Sequence, residues 1–201
     1  MNGITDTVAQ VDAVFLYIMG ISVGLLVLVT VLMIYFAIRY SRSRNPEPAD
    51  IRGHWLLETI WTAVPTVLVL SMFYLGWQSY LGLRSVPEDA TEIGVIGQQF
   101  SWVFVYPNDK ITESELVVPQ GSAIKLNITS EDVNHSLFIP AFRIKMDAVP
   151  GMKTHTWFFA DAVGRYDVLC AEYCGVEHSG MRAVLRIVPE PEYRAWLLEE
   201  E

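Results

Sequence analysis

Residues 13–38 read AVFLYIMGISVGLLVLVTVLMIYFAI, and these 26 consecutive positions contain no Asp, Glu, Lys, Arg or His. Residues 59–83 form a second run of 25 positions with the same property. A helix of about 20 apolar residues crosses the roughly 30 Å hydrocarbon core of a bilayer. The first run lacks the basic segment of a secretory signal and is longer than the apolar centre of one. The sequence therefore predicts a hairpin of two transmembrane helices, over about residues 13–38 and 59–83.

The residues between the two runs carry the charge that sets their orientation. All four arginines of the first 83 residues lie there: Arg39, Arg42, Arg44 and Arg52. Short positively charged loops stay in the cytoplasm, so the N-terminus and everything after Leu83 are expected on the opposite side. We therefore expect an integral protein of a bacterial plasma membrane, with two spans and with an extracytoplasmic N-terminus and C-terminal domain.

Residues 84–201 form a second predicted domain, and this domain is acidic. It holds 10 Lys and Arg against 18 Asp and Glu, a formal net charge of −8 with His neutral. Nucleic acid is excluded as a partner, because a phosphate backbone binds basic surfaces. An acidic surface attached to a membrane suits a basic, diffusible partner.

The sequence of the second domain predicts an all-β fold, in contrast to the helical hairpin of residues 1–83. Short runs of β-branched and aromatic residues recur about every ten residues and are separated by turn signals, which predicts a β-sandwich or small barrel. Gly121, Gly151 and Gly164 occupy the expected turns. A short C-terminal helix is predicted to begin near Pro191 and to pack through Trp196 and Leu197. The predicted strands are 92–97, 100–107, 115–121, 122–130, 135–140, 154–160, 164–170 and 182–189.

Both cysteines of the chain lie in the stretch CAEYCGVEHSGM, residues 170–181. A disulfide between Cys170 and Cys174 would suit an oxidising compartment. Such a bridge would close only a small loop, and disulfides that close short loops stabilise a fold less than those that close long ones. It would also leave His178 and Met181 without a role. A metal site is therefore the stronger interpretation of the stretch.

The identity of the metal follows from the types of ligand. Zinc would take the two cysteines with His178 and His135, but it has no use for the thioether of Met181. Thiolates, imidazoles and a thioether together are ligands that copper prefers. A mononuclear blue copper site takes one cysteine, so the second thiolate favours two bridged metals, each with one imidazole. His135 is the best partner for His178; His155 is the competitor, and His54 lies on the wrong side of the membrane.

The motif C-x-E-x-C-x-x-x-H-x-x-M resembles the copper-binding motif of subunit II of haem-copper cytochrome c oxidases. The resemblance extends to the two leading helices and to four further stretches, so that it covers nearly the whole chain. These stretches are ETIWTAVP at 58–65, GQQFSWVFVYP at 97–107, EDVNHS at 131–136 and KMDAVPG at 145–151.

The resemblance implies a cupredoxin-like sandwich that carries the dinuclear copper centre CuA. It also implies an electron-transfer subunit that takes electrons from cytochrome c and passes them to haem in catalytic subunit I, where O2 is reduced and protons are translocated. Subunit III is an expected further partner. The carboxylate matching Glu172 helps hold a Mg or Mn ion at the interface with the catalytic subunit. The family's copper ligands match His135, Cys170, Cys174 and His178, with Met181 and the backbone carbonyl of Glu172 as weak axial ligands.

Two further positions carry family roles. The family reads G-H-Q-W-x-W in the aromatic stretch, and its first tryptophan receives the electron from cytochrome c. Here Phe100 occupies that position and the second tryptophan is retained as Trp102. Either Trp102 or another surface aromatic receives the electron, or the donor is not an ordinary soluble cytochrome c; for Trp102, plain core packing is the alternative. Glu58 matches a glutamate near the entrance of a proton-conducting channel of the catalytic subunit, with a plain helix-end carboxylate as the alternative.

Two other functions remain compatible with these residues. The first is the CuA subunit of a related haem-copper nitric oxide reductase, which the departure at Phe100 keeps in view. The second is a membrane-anchored copper carrier or assembly factor without an electron-transfer role.

Overall fold

The structure is a computed structural model that describes residues 7–47 and 52–199. The ends of the two predicted domains, at residues 1–6 and 200–201, lie outside the described residues, as do positions 48–51 of the loop between the helices. The chain divides into a helical unit, Gln10–Tyr80, and a second unit that contains Leu81–Glu201.

The helical unit is built from two long helices, α1 (Thr7–Arg39) and α2 (Trp55–Arg84). Both are long and apolar enough to cross a membrane, and each extends beyond the predicted apolar run by a few residues. Their large apolar side chains are mostly exposed, as expected for helices whose surroundings are lipid or other apolar helices. A hydrogen bond of 2.7 Å between Tyr17 Oη and Ser71 Oγ links them. Such polar contacts between helices satisfy groups that lipid cannot.

Within residues 52–199, ten strands form two five-stranded sheets, and one short α-helix, α3 (Glu190–Leu198), follows them. The first sheet has the order β3-β2-β1-β5-β8 and the second the order β4-β10-β9-β6-β7. The pairs β1–β5 and β4–β10 are parallel, and the other pairs are antiparallel. The strands are β1 (Thr91–Gln98), β2 (Ser101–Val105), β3 (Ile111–Glu113), β4 (Glu115–Pro119), β5 (Ala123–Ser130), β6 (His135–Ile139), β7 (Ile144–Ala148), β8 (Thr154–Phe159), β9 (Gly164–Cys170) and β10 (Arg182–Val188).

The core of the sandwich lies between the two sheets, where alternate residues of each strand point inward. In β5, Ile124, Leu126 and Ile128 are buried, whereas Lys125 and Asn127 are partly exposed on the other face. Burial of each such aliphatic side chain stabilises the fold by about 1.5–3 kcal/mol before entropy is counted.

The predicted fold class is confirmed, with differences at the smallest elements. All eight predicted strands are present, and φ is positive at Gly121 (78°) and Gly151 (74°), as their predicted turns require. Gly164 begins β9 instead of forming a turn. The strands β3 and β7 were not predicted, because β3 has three residues and β7 is a charged edge strand. The helix α3 also buries Tyr193, besides the partly buried Trp196 and Leu197.

Candidate metal centre

Neighbouring strands of the second sheet bring the cysteine-containing loop and His135 together. His135 is the first residue of β6, and Cys170 is the last residue of β9. The pairing of Leu137 with Cys170 places both ligand candidates at the same end of the sheet, because His135 lies two residues before Leu137 on the same face. Met181 precedes β10, and its carbonyl accepts a hydrogen bond from the Cys170 N–H at 3.2 Å.

The donor atoms of the predicted ligands converge around two sulfur atoms. Cys170 Sγ lies 3.9 Å from Cys174 Sγ, and the two are not bonded to each other. His135 Nδ1 lies 3.9 Å from Cys170 Sγ, and His178 Nδ1 lies 3.6 Å from Cys174 Sγ. Each thiol therefore has its own imidazole. The ligand atoms of His135, Cys170 and Cys174 all lie within 4.8 Å of one another.

Two weaker donors complete the cluster. Met181 Sδ lies 3.7 Å from Cys174 Sγ, and the backbone carbonyl oxygen of Glu172 lies 3.3 Å from Cys170 Sγ. The side chain of Glu172 points away to solvent, and within the described residues it forms no hydrogen bond or ion pair. Sulfur and imidazole donors at this density suit a thiophilic metal such as copper, whereas Mg²⁺ and Ca²⁺ require oxygen.

Burial disfavours the charged form of the Cys174 thiol. His135 is fully buried, and Cys174 and Met181 are nearly so. Burial, followed by the nearby Cys170, raises the pKa of the Cys174 thiol to about 11. The thiolate of Cys174 is thus unfavourable at neutral pH without nearby positive charge, which a bound metal would supply.

Asp132 fixes the orientation of the His135 ring. His135 Nε2 lies 2.8 Å from Asp132 Oδ1, so a proton shared there leaves Nδ1 free to face Cys170. Asp132 also accepts hydrogen bonds from the backbone N–H groups of Val133 (2.6 Å) and Gln99 (2.7 Å). Although burial opposes them, these hydrogen bonds hold the pKa of Asp132 below its ordinary value. Sequence reasoning missed Asp132, for which the signal was its position three residues before His135.

The aromatic residues near the cluster differ in exposure. Trp102 is 0% exposed, and its ring meets that of His135 edge-on at 5.9 Å between centroids. Trp102 is therefore packed in the core of the sandwich against a predicted ligand. Phe100 is partly exposed and packs against the ligand loop at Gly175, where an added Cβ would lie 2.9 Å from Phe100 Cε1. Tyr173 is 74% exposed, and its ring centroid lies 5.8 Å from that of His178.

The other singled-out residues lie apart from this cluster. His155 is on β8, opposite Asn127, and is not among the clustered ligands. Glu58 lies in the first turns of α2, where its Oε1 accepts a hydrogen bond from the His54 N–H at 3.1 Å. This contact caps the helix N-terminus, which is the local role of a helix-end carboxylate. Glu58 also lines a groove of about 670 Å³ along α2 together with Thr62 and Thr66.

Comparison with known proteins gives one consistent family. Residues 2–76 match the profile described as the transmembrane domain of cytochrome c oxidase subunit II, and residues 108–188 match the profile of its periplasmic domain. Cytochrome c oxidase subunit 2 of Thermostichus vulcanus is 31% identical over 92% of this chain and 73% of its own length. The corresponding Synechocystis protein is 29% identical, over 94% of this chain and 71% of that protein.

A solved structure also resembles the second unit. The periplasmic domain of cytochrome oxidase subunit II from Bradyrhizobium japonicum is 32% identical, with a TM-score of 0.55 over 56% of this chain and 94% of that domain. The helical hairpin and the sandwich thus occur here in the same order as in one known subunit. The chain belongs to the cytochrome c oxidase subunit II family, and it is accordingly a two-span membrane protein that serves as the electron-transfer subunit of an oxidoreductase complex.

Proposed function

We propose that this chain holds a dinuclear CuA centre through which its oxidase receives electrons. The observation that carries the proposal is the pair of unbonded sulfurs 3.9 Å apart, each with an imidazole Nδ1 within 3.9 Å. Two thiolates and two imidazoles would together supply enough strong donors to hold two ions. Bound copper would supply one-electron redox chemistry at this position.

The residues of the chain would each contribute to holding that centre. Cys170, Cys174, His135 and His178 would hold the ions through their sulfur and imidazole nitrogen atoms. Met181 and the carbonyl of Glu172 would add two weaker donors from within 3.7 Å of the cysteine sulfurs. Asp132 holds the His135 ring in the required tautomer, and the buried positions of His135, Cys174 and Met181 exclude water. A rigid, dry ligand set lowers the reorganisation that accompanies each electron.

The electron donor would bind next to the ligand loop. Phe100, Val176 and Glu177 line one shallow hollow of about 290 Å³, and Val176 is 90% exposed. The exposed aromatic ring of Tyr173 lies beside His178. Apolar groups within an acidic surface suit a basic donor with an exposed haem edge, such as cytochrome c. Trp102, beneath this surface and against His135, would serve as an internal relay.

The remaining family roles concern the rest of the complex. We propose that residues 84–201 face the periplasm, with the hairpin of residues 1–83 in the bacterial plasma membrane against catalytic subunit I and near subunit III. The free carboxylate of Glu172 would bind Mg or Mn at the interface with subunit I. Glu58, on its groove with Thr62 and Thr66, would lie at the entrance of a proton channel of that subunit. Oxygen would be reduced in subunit I, with proton translocation.

The proposal is tested by metal analysis and electron paramagnetic resonance of the purified full-length chain in detergent. We expect two copper ions per chain that survive dialysis against a chelator, and hyperfine lines from one electron shared by two equivalent nuclei. Cys174→Ser should abolish the shared-electron spectrum, because one thiolate ligand is lost. Ser179→Ala, in the same loop, should leave it unchanged.

Three results would contradict the proposal. An unchanged spectrum and copper content in Cys174→Ser would show that Cys174 is not a copper ligand. Loss of all copper on dialysis would instead indicate a copper carrier. In the assembled complex, reduction of nitric oxide without reduction of oxygen would assign the chain to a nitric oxide reductase.

A further inference from the structure

Gln99 lies in the turn between β1 and β2, and it contacts both segments that carry the clustered ligands. Its backbone N–H donates to Asp132 Oδ2 at 2.7 Å. Its side-chain Nε2 donates to the carbonyl oxygen of Cys174 at 2.5 Å. The two contacts span 33 and 75 residues of sequence, so neither segment is held to Gln99 by chain connectivity.

The first contact acts on His135 through Asp132. Asp132 uses Oδ1 for the His135 ring and Oδ2 for the Gln99 N–H. With both oxygens occupied, the carboxylate cannot rotate without breaking one of the two bonds. The Gln99 N–H therefore fixes the group that orients His135.

The second contact acts on the cysteine loop. Gly175 has φ of 142°, a backbone conformation that favours glycine, and it follows Cys174 directly. An added Cβ at Gly175 would lie 3.0 Å from Gln99 Nε2 and 2.9 Å from Phe100 Cε1. The amide of Gln99 thus lies directly over the turn that sets the direction of the Cys174 side chain.

We propose that Gln99 is a positioning residue that holds the His135 segment and the Cys174 loop in register. The role rests on the proposed metal function of these ligands, but the two hydrogen bonds of Gln99 are present in the metal-free chain. Removing the side-chain donor leaves the Asp132 contact intact and frees the loop. The loop should then open more often, which exposes Cys174 and loosens any bound metal.

The test compares Gln99→Met with Gln98→Met in the full-length chain in detergent. Both changes replace a glutamine by an isosteric apolar side chain, and Gln98 donates its side-chain hydrogen bond to Ser101 Oγ within the same turn, at 3.1 Å. In the reduced, metal-free chain, the slower of the two thiols should react with a chromogenic disulfide reagent about three- to tenfold faster in Gln99→Met. Gln98→Met should stay within about twofold of the unchanged chain.

The copper-loaded chain gives a second readout. Copper release to a chelator should accelerate by a similar factor in Gln99→Met, and the hyperfine pattern should change while the unfolding midpoint stays that of Gln98→Met. A purely structural glutamine would lower the midpoint and leave the spectrum unchanged. If Gln99→Met fails to fold, Gln99→Glu against Gln98→Glu gives the same comparison, because a carboxylate also lacks the donor at neutral pH.

Equal thiol rates in the Gln99 and Gln98 variants would overturn the proposal. Failure of the chain to bind copper would instead refute the proposed function. The positioning role of Gln99 would still be tested, because the thiol reaction rates are measured on the metal-free chain.

Discussion

At Gly97, the predicted ligand His135 and its neighbour Trp102 leave little room for a side chain. It lies on β1 beneath the ring of His135, and an added Cβ would be 3.0 Å from His135 Cδ2 and 3.1 Å from Trp102 Cζ3. Both rings are fully buried, so neither can move outward. The position therefore requires glycine for packing, although its φ is ordinary. Any side chain there displaces the imidazole that Asp132 orients.

Gly97→Ala is expected to weaken the metal site and the fold together. Overpacking in a dense core costs about 1–3 kcal/mol, and here the displaced group is a predicted ligand. Copper release to a chelator should be about tenfold faster, as followed by the visible absorption of the loaded chain. Gly94→Ala is the control, because its Cβ would lie 3.3 Å from the Val105 side chain and far from His135. Equal copper release in the two variants would contradict this account.

Single residues also show what the sequence could reveal about the site. The motif at 170–181 singled out Cys170, Cys174, His178 and Met181, because their types and spacing suit copper. The roles of Asp132 and Gln99 were not visible, since a carboxylate and an amide outside a motif have many ordinary uses. Their roles depend on distances of 2.5–2.8 Å across turns, which no periodicity encodes.

At the level of elements, the alternation of apolar and polar residues predicted the strands but not which strands lie next to each other in a sheet. The runs at 135–140 and 164–170 were both recognised as strands. That β6 and β9 are adjacent, with Leu137 opposite Cys170, follows from the way the whole sandwich buries its core. The choice of His135 over His155 rested on the place of His135 at the start of a predicted strand and of His155 within one. The strand order supplies a further physical reason, because β8 lies in the other sheet.

A buried tyrosine ties β2 to β4 and to α3. The hydroxyl of Tyr106 accepts a hydrogen bond from the Val117 N–H at 2.7 Å, and its ring meets Trp196 edge-on at 5.0 Å between centroids. Lys110 reaches the same helix end, where Nζ donates to the carbonyls of Trp196 (3.0 Å) and Glu199 (2.7 Å). The Trp196 carbonyl also accepts a hydrogen bond from the Glu199 N–H at 3.3 Å, so the lysine adds to the C-terminal cap of α3.

Tyr106→Phe should destabilise the sandwich by about 1–3 kcal/mol, because the buried Val117 N–H loses its partner. The measurement is urea unfolding of the full-length chain in detergent, followed by tryptophan fluorescence. Tyr166→Phe is the matched control: its hydroxyl donates to the Ala162 carbonyl at 2.9 Å in an exposed setting, where water replaces it. A Tyr106→Phe chain as stable as Tyr166→Phe would show that Val117 finds another acceptor.

Over the whole molecule, the net negative charge lies almost entirely in residues 84–201, which the overall net charge does not show. The overall net charge of −9 includes −8 from residues 84–201, whereas all four arginines of the first 83 residues lie between the two helices. The basic segment suits the cytoplasmic face of a membrane, and the acidic domain suits a cationic donor on the other face. This division was readable from sequence because it needs no contact information.

The acidic domain predicts a rate that depends on salt. Reduction of the loaded chain by a basic cytochrome c should slow about tenfold between about 10 mM and 150 mM salt, because the Debye length falls from about 30 Å to 8 Å. At low salt, Glu177→Gln should lower the rate about twofold, since Glu177 lines the hollow beside Phe100. Stopped-flow absorbance of the cytochrome measures both effects.

Glu190→Gln provides the control for that experiment, because it removes the same charge at a distance. Glu190 follows the end of β10 opposite the ligand loop, and seven strand residues span about 20 Å. Glu190→Gln should therefore leave the low-salt rate nearly unchanged. If it slowed reduction as much as Glu177→Gln, the domain's overall charge would govern association and the hollow at Phe100 would not be the docking site. If the reduction rate did not depend on salt, electrostatic attraction between the donor and the acidic domain would be excluded.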